Sequence, residues 1–217
     1  MEDIALVTGS STGIGFETSL ALARNGIHTF ATVRHLQKGS IIKTIADKES
    51  LPLRVIEMDV NDEDSVRRTA TKIIDEKKRI DLLVNNAGYG LFGALEDISL
   101  NEVREQFEAN YFGAIRVMKQ VIPTMRRQRG GIIINITSIA GMVGIPGEYI
   151  YSSSKFALEG LSESISYELR PYGIKVVLIE PGVINTNFVP NIRFPGEAQY
   201  RSMQAERVGK NGNSLSH

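Results

Sequence analysis

Cysteine is absent from the 217 residues, histidine occurs three times, and 25 basic residues meet 25 acidic ones, so the formal net charge is zero. Without cysteine there is no disulfide framework, no thiol nucleophile and no thiolate metal site; the compartment stays open, because exported proteins can also lack it. His28, His35 and His217 form no ligand cluster for a metal, and none follows a strand end where it would serve a serine as base. Balanced charge gives no whole-molecule attraction to nucleic acid or anionic lipid. Long hydrophobic runs are missing too: none approaches the roughly 18–20 apolar residues that cross a bilayer. The first apolar stretch, Ile4 to Val7, leads straight into a glycine-rich segment, which is not the pattern of a signal peptide. A soluble, cytoplasmic protein is the expectation.

What is present is material for a core. Hydrophobic residues make up 42% and charged residues 23%, ordinary for a globular chain, and the length suits one α/β domain over 1–217. Short runs rich in Val, Ile and Leu recur at 4–8, 28–33, 53–58, 81–86, 131–137 and 174–180. They are too short for helices and do not alternate, as expected of parallel strands buried on both faces. Between them lies helical periodicity. From 100 to 125, Leu100, Val103, Phe107, Tyr111, Ala114, Met118, Val121 and Met125 step by three and four, predicting one long amphipathic helix. Alternating strand and helix predicts right-handed crossovers and a sheet covered on both sides. Arg126, Arg127 and Arg129 read as a solvated helix end. From 205 to 217 Gly, Asn, Ser and charge dominate, which predicts a mobile tail.

In such a sheet, ligands bind beyond the carboxyl ends of the strands. The first strand is followed by "TGSSTGIG", Thr8 to Gly15, a glycine loop opening a helix, where backbone N–H groups can cradle a pyrophosphate. Arg34 follows the second strand, where an acid usually holds the ribose 2′-hydroxyl of NAD. Arginine there suits a 2′-phosphate, favouring NADP(H) over NAD(H); it also fits a surface arginine. Asp59 follows the third strand and could accept from an adenine amine or cap the helix beginning near Asp62. "NNAG", Asn85 to Gly88, follows the fourth, Ser138 the fifth, and Pro181-Gly182 the sixth, with Thr186 just beyond.

"YSSSK", Tyr151 to Lys155, stacks a phenol and an ammonium one helical turn apart, roughly 5–6 Å between Cβ atoms. A nearby cation favours the phenolate and so tunes a group whose pKa is ordinarily about 10. The same spacing is also common on solvated helix faces.

Taken in order, "TGSSTGIG", "NNAG", Asn110 in "EANYFG", Ser138 in "ITSIAG", "YSSSK" and "PG" with Thr186 make residues 2–188 resemble the short-chain dehydrogenase/reductases. "NAGYGLFGALED" and "ATVRHL" look most like the steroid- and retinoid-type members that use NADP(H). The resemblance implies a doubly wound, Rossmann-like parallel sheet of strand order 3-2-1-4-5-6, with the family's seventh strand missing from this chain. It implies a catalytic tetrad of Asn110, Ser138, Tyr151 and Lys155. Tyr151 would be general acid and base, Lys155 would lower its pKa and bond the nicotinamide ribose, and Ser138 would hold the substrate oxygen. Asn110 would hold a water linking Lys155 to solvent, although a core asparagine satisfied by backbone reads equally well. Cofactor contacts are implied for Gly9, Ser11, Gly13, Ile14, Gly15, Arg34, Asp59, Val60, Asn86, Ala87, Gly88, Tyr151, Lys155, Pro181, Gly182, Ile184 and Thr186.

The implied reaction passes a hydride between NADP(H) and the carbonyl or secondary alcohol of a small apolar molecule. Leu91, Phe92, Val143, Ile145, Pro146 and Phe188 are the expected pocket walls, with Tyr149 and Tyr167 as packing or pocket residues. By analogy the protein is a homodimer or homotetramer. Residues 188–217 are expected to be an incomplete substrate lid and tail. A cofactor-binding sensor or scaffold on the same fold is the alternative, but such a protein would be expected to lose a tetrad residue.

Overall fold

The six apolar runs become six strands in the computed structural model, in which residues 2–182, 184 and 192–195 are described. They are β1 (Ile4–Val7), β2 (His28–Val33), β3 (Leu53–Glu57), β4 (Leu82–Asn85), β5 (Gly131–Ile136) and β6 (Ile174–Ile179). All pair in parallel, in the order β3-β2-β1-β4-β5-β6. Crossover helices on both faces remove any need for polar alternation. Ala5, Leu6 and Val7 are accordingly fully buried.

Helices α1 (Gly13–Arg24) and α2 (Ser40–Lys48) cover one face, packing Leu20 and Ile42 against Ala31. Helices α3 (Glu63–Lys77), α5 (Gly113–Gln128) and α6 (Tyr149–Leu169) cover the other. There Val66, Ile73, Val117, Val121, Met125 and Leu158 join Ile4, Leu6, Phe30 and Leu83 in the largest apolar cluster. Each such side chain contributes about 1.5–3 kcal/mol on burial, so this face anchors the fold. From β1 the chain winds outward through β2 to β3, then returns to β4 on the other side of β1. Loops after β1 and β4 therefore diverge, leaving a crevice at the carboxyl edge.

Three local expectations are corrected. The helix expected over 100–125 is broken into α4 (Leu100–Phe107) and α5, joined by a π-helical turn at Glu108–Phe112, and α5 continues to Gln128. Such a turn inserts an extra residue; Asn110 sits in it, 2% exposed, while Leu100 at the start of the stripe stands exposed. Asp59 does not cap α3. Asp62 does, its Oδ1 accepting from the N–H groups of Asp64 at 2.9 Å and Ser65 at 3.2 Å. The arginine cluster at the end of α5 is not merely solvated: Arg126 lies 4.7 Å from the Tyr172 ring centroid and pairs with Glu168, and Arg129 lies 5.9 Å from the same ring.

Residues 192–195 fold back on the segment after β4. The Arg193 N–H donates to the Gly90 carbonyl at 2.8 Å, and the Phe92 N–H donates to the Arg193 carbonyl at 3.0 Å. Thr186, Phe188 and the expected tail over 205–217 lie outside the described residues. Among the described residues no helix is long and apolar enough to cross a membrane.

Candidate active site

The loop after β1 turns sharply because Gly9 and Gly13 take φ values of +69° and +63°, open to glycine at little cost. A Cβ on Gly9 would lie 2.8 Å from the Ala87 Cα, and one on Gly15 would strike the Asn86 side chain and the Gly9 carbonyl. The loop is therefore pressed against the segment after β4. Hydrogen bonds tie the two together. Thr8 Oγ1 accepts from the N–H groups of Asn86 at 2.9 Å and Ala87 at 3.0 Å, and Asn86 Nδ2 donates to the carbonyls of Thr8 and Gly9. At the start of α1, Thr12 makes no side-chain cap and no acidic residue occupies the first turn. That helix end is suited to an anion.

One cavity of about 490 Å³ follows the carboxyl edge of the sheet. Its middle is formed by Gly9, Ser11, Gly13 and Ile14 facing Asn86, Ala87 and Gly88. At one end are Arg34, His35, Lys38, Asp59 and Val60, with Arg34 Nε 3.6 Å from Asp59 Oδ2. At the other are Ser138, Tyr151 and Lys155, beside Pro181, Gly182 and Ile184. Gly15 lies under the loop and does not line this cavity. The elongated shape, glycine cradle and open helix end fit a dinucleotide.

At the reactive end, α6 sets Tyr151 and Lys155 one turn apart, with only 7% and 6% exposed. Lys155 Nζ donates to the Ile136 carbonyl at 2.9 Å and lies 5.6 Å from the Tyr151 ring centroid. Burial raises the Tyr151 phenol above its ordinary pKa; its hydrogen bond with Ser138 opposes this, and the charge of Glu148 adds to it. Burial also pulls Lys155 down to about 8, with the Glu159 carboxylate opposing. Desolvation thus sets the phenol, and Ser138, not Lys155, is the residue that lowers it. Ser138 Oγ itself donates to the Pro181 carbonyl at 3.4 Å and accepts from the Ala140 N–H at 3.1 Å.

Asn110 stands behind this group and lines a second, water-sized cavity that it shares with Lys155. Its amide is fully engaged: Nδ2 donates to the Tyr89 carbonyl at 3.0 Å and to Ser154 Oγ at 3.1 Å, while Oδ1 accepts from the Tyr89 N–H at 3.1 Å. As a side chain it joins the turn after β4 to α6.

Of the expected pocket walls, Phe92 and Ile145 line the cavity, and the Phe92 ring meets Tyr151 edge-on at 5.9 Å. Leu91 belongs instead to a separate cluster with Ile98 and Ile150. Val143, Pro146, Tyr149 and Tyr167 are exposed and outside the cavity. Sequence reasoning missed Lys38, Glu148, Ile139, Ile192 and Arg193, all of which line it. Lys38 lies four residues beyond Arg34, in the short turn Leu36–Gly39 that follows β2. Residues 192 and 193 gave no signal, because only the fold-back brings them here.

Residues 3–195 match the family model described as short chain dehydrogenase. The chain belongs to that family. It is 43% identical over 188 residues to the 3-ketodihydrosphingosine reductase of Bacteroides thetaiotaomicron, covering 87% of this chain and 66% of that protein. Among solved structures it is similar to ElxO with NADP bound, at 32% identity and a TM-score of 0.83, covering 88% of this chain and 77% of that one. It is also similar to NAD⁺-bound xylitol dehydrogenase, at 32% identity and a TM-score of 0.79, covering 83% and 70%. The chain spans about two thirds of the length of curated relatives it matches. Family members of this fold therefore take either nucleotide.

Proposed function

We propose that this chain is an NADP(H)-dependent oxidoreductase that interconverts a carbonyl and a secondary alcohol on a largely apolar small molecule. The observation that carries this reading is the meeting of Tyr151, Ser138 and Lys155 at one end of a dinucleotide-shaped cavity whose other end presents Arg34 and Lys38. Gly9, Ser11, Gly13 and Ile14 would hold the pyrophosphate on the N-terminus of α1. Arg34 and Lys38 would hold a 2′-phosphate. Val60, beside Asp59, would flank the adenine, while Asn86, Ala87 and Gly88 would approach the ribose. Pro181, Gly182 and Ile184 would flank the nicotinamide, and Thr186 is proposed from the family pattern alone.

When bound, the nicotinamide supplies or takes the hydride. Tyr151 gives a proton to the substrate oxygen in reduction and takes it back in oxidation, a role worth roughly 10²–10⁴ in rate. Ser138 shares the oxygen and steadies the phenol through their hydrogen bond. Lys155 would hold the nicotinamide ribose, and with Asn110 would complete the proposed tetrad. Phe92 and Ile145 supply the apolar wall for the substrate body, in keeping with a relative named for a ketosphingoid substrate. Exposed Phe112, Phe156 and Tyr167 support assembly as a homodimer or homotetramer.

Turnover of a panel of aliphatic ketones with NADPH tests this reading. Tyr151→Phe is expected to lower kcat/KM at least about a hundredfold while NADPH still binds by fluorescence titration. Undiminished turnover in that variant would overturn the assignment.

A further inference from the structure

Glu148 immediately precedes α6, one turn before Tyr151, yet it does not cap the helix: its side chain makes no cap hydrogen bond. It lines the same cavity as Tyr151, and its charge acts on the phenol. Backbone bonds fix its place. The Glu148 N–H donates to the Ile145 carbonyl at 3.0 Å, and the Gly93 N–H donates to the Gly147 carbonyl at 3.0 Å, so Glu148 stands beside Phe92 and Ile145.

No described residue hydrogen-bonds or ion-pairs with the Glu148 carboxylate, and burial raises its pKa. A half-buried carboxylate with no partner among the described residues carries a desolvation cost, which the N-terminus of α6 offsets only in part. The dinucleotide contacts proposed above use neither this carboxylate nor this wall. Its place is on the substrate side.

We propose that Glu148 is a specificity-determining residue that receives a protonated amine on the substrate, within a few bonds of the carbon that reacts at Tyr151, while the apolar remainder lies along Phe92 and Ile145. The inference rests on the oxidoreductase reading above. Glu148 precedes Tyr151 by three residues and lines the same cavity, which sets the short distance between amine and reacting carbon. An ammonium is favoured over a hydroxyl because it brings a full positive charge to the carboxylate, where a hydroxyl brings only a dipole. Pairing would also cancel the negative charge that helps hold the Tyr151 phenol up.

The test compares 2-aminodecan-3-one with decan-3-one as substrates, using NADPH and the 217-residue chain at neutral pH. In parallel, calorimetry compares binding of 2-aminodecan-3-ol and decan-3-ol. The wild type is expected to favour the amine by about tenfold or more in both readouts, some 1.4 kcal/mol. Glu148→Gln is expected to bring both ratios close to one, and Glu148→Asp to restore part of the preference. Using ratios removes any common effect on Tyr151. Equal ratios in wild type and Glu148→Gln, or no preference in the wild type, overturn the proposal. Reduction of both ketones without preference sinks the amine subsite and leaves the oxidoreductase reading standing. Preferential binding of the amine with neither ketone reduced does the reverse.

Discussion

The side-chain amide of Asn86 donates to two consecutive carbonyls of the glycine loop, Thr8 at 2.9 Å and Gly9 at 3.0 Å. A residue at the end of β4 thereby holds the loop at the end of β1, across the point where the sheet changes direction. Its side chain is spent on structure, and it presents the loop already shaped. Asn86→Ala would leave both carbonyls short of a donor, at about 1–3 kcal/mol in total. A fall in Tm of several degrees is expected, at roughly 2–4 °C per kcal/mol for a chain of this length. Dinucleotide affinity should fall with it. Calorimetry and NADPH titration on one preparation check both, and an unchanged Tm would remove Asn86 from this role.

Gly15 serves the same contact from the other side. An added Cβ would strike the Asn86 side chain and the Gly9 carbonyl, so Gly15→Ala must displace the loop although Gly15 does not line the cavity. Overpacking of this kind typically costs about 1–3 kcal/mol. Weaker NADPH binding and a lowered Tm are expected together. An alanine variant that melts and binds as the wild type would show that the loop yields freely.

These two residues also show what was legible in the sequence. Strand runs were readable because parallel strands buried on both faces read as apolar runs, as β1 and β4 do, while β2 carries Thr29 and Thr32 and the edge strands β3 and β6 expose Arg54, Glu57 and Lys175. The glycine loop and YSSSK were readable because backbone conformation and helical spacing tie them to short stretches of chain. Partners distant in sequence were not readable. That Asn86 would turn to the loop, that Asn110 would be engaged by Tyr89 and Ser154, and that 192–195 would fold onto 90–93 depends on how the strands are ordered. Glu148 looked like any acid before a helix until the cavity placed it beside Tyr151. The π-helical turn at 108–112 escaped because its extra residue hardly disturbs the apolar spacing on either side.

Arg34 and Asp59 set a test of nucleotide choice. Their 3.6 Å pairing puts a cation and an anion at the adenosine end, with Lys38 beside them. Loss of a charged hydrogen-bond partner costs about 1.5–3 kcal/mol, so Arg34→Ala is expected to weaken NADPH binding at least about tenfold and NADH binding far less. Asp59→Asn removes an anion that would repel the 2′-phosphate and should move the preference further toward NADPH. Parallel titrations of the two nucleotides decide the matter. Equal losses for both in Arg34→Ala would show that the arginine does not read the 2′ position.

Lys155 links the site to stability in alkaline solution. Burial lowers its pKa from the ordinary 10.5 to about 8, so folding is opposed by the cost of burying a charged ammonium. Below pH 8 that cost applies in full, on the order of 3 kcal/mol. Between about 8 and 10.5 the unfolded chain holds more protons than the folded one, and stability must therefore rise with pH across that window. Lys155→Met lacks this dependence. The variant also loses the bond to the Ile136 carbonyl, a penalty that does not vary with pH, so the readout is the slope and not the absolute difference. Denaturant unfolding of both proteins at steps from neutral pH upward should show the wild type gaining on Lys155→Met through this window. A constant difference would mean that Lys155 keeps an ordinary pKa, and the lysine would then stand in a far wetter site than its 6% exposure implies.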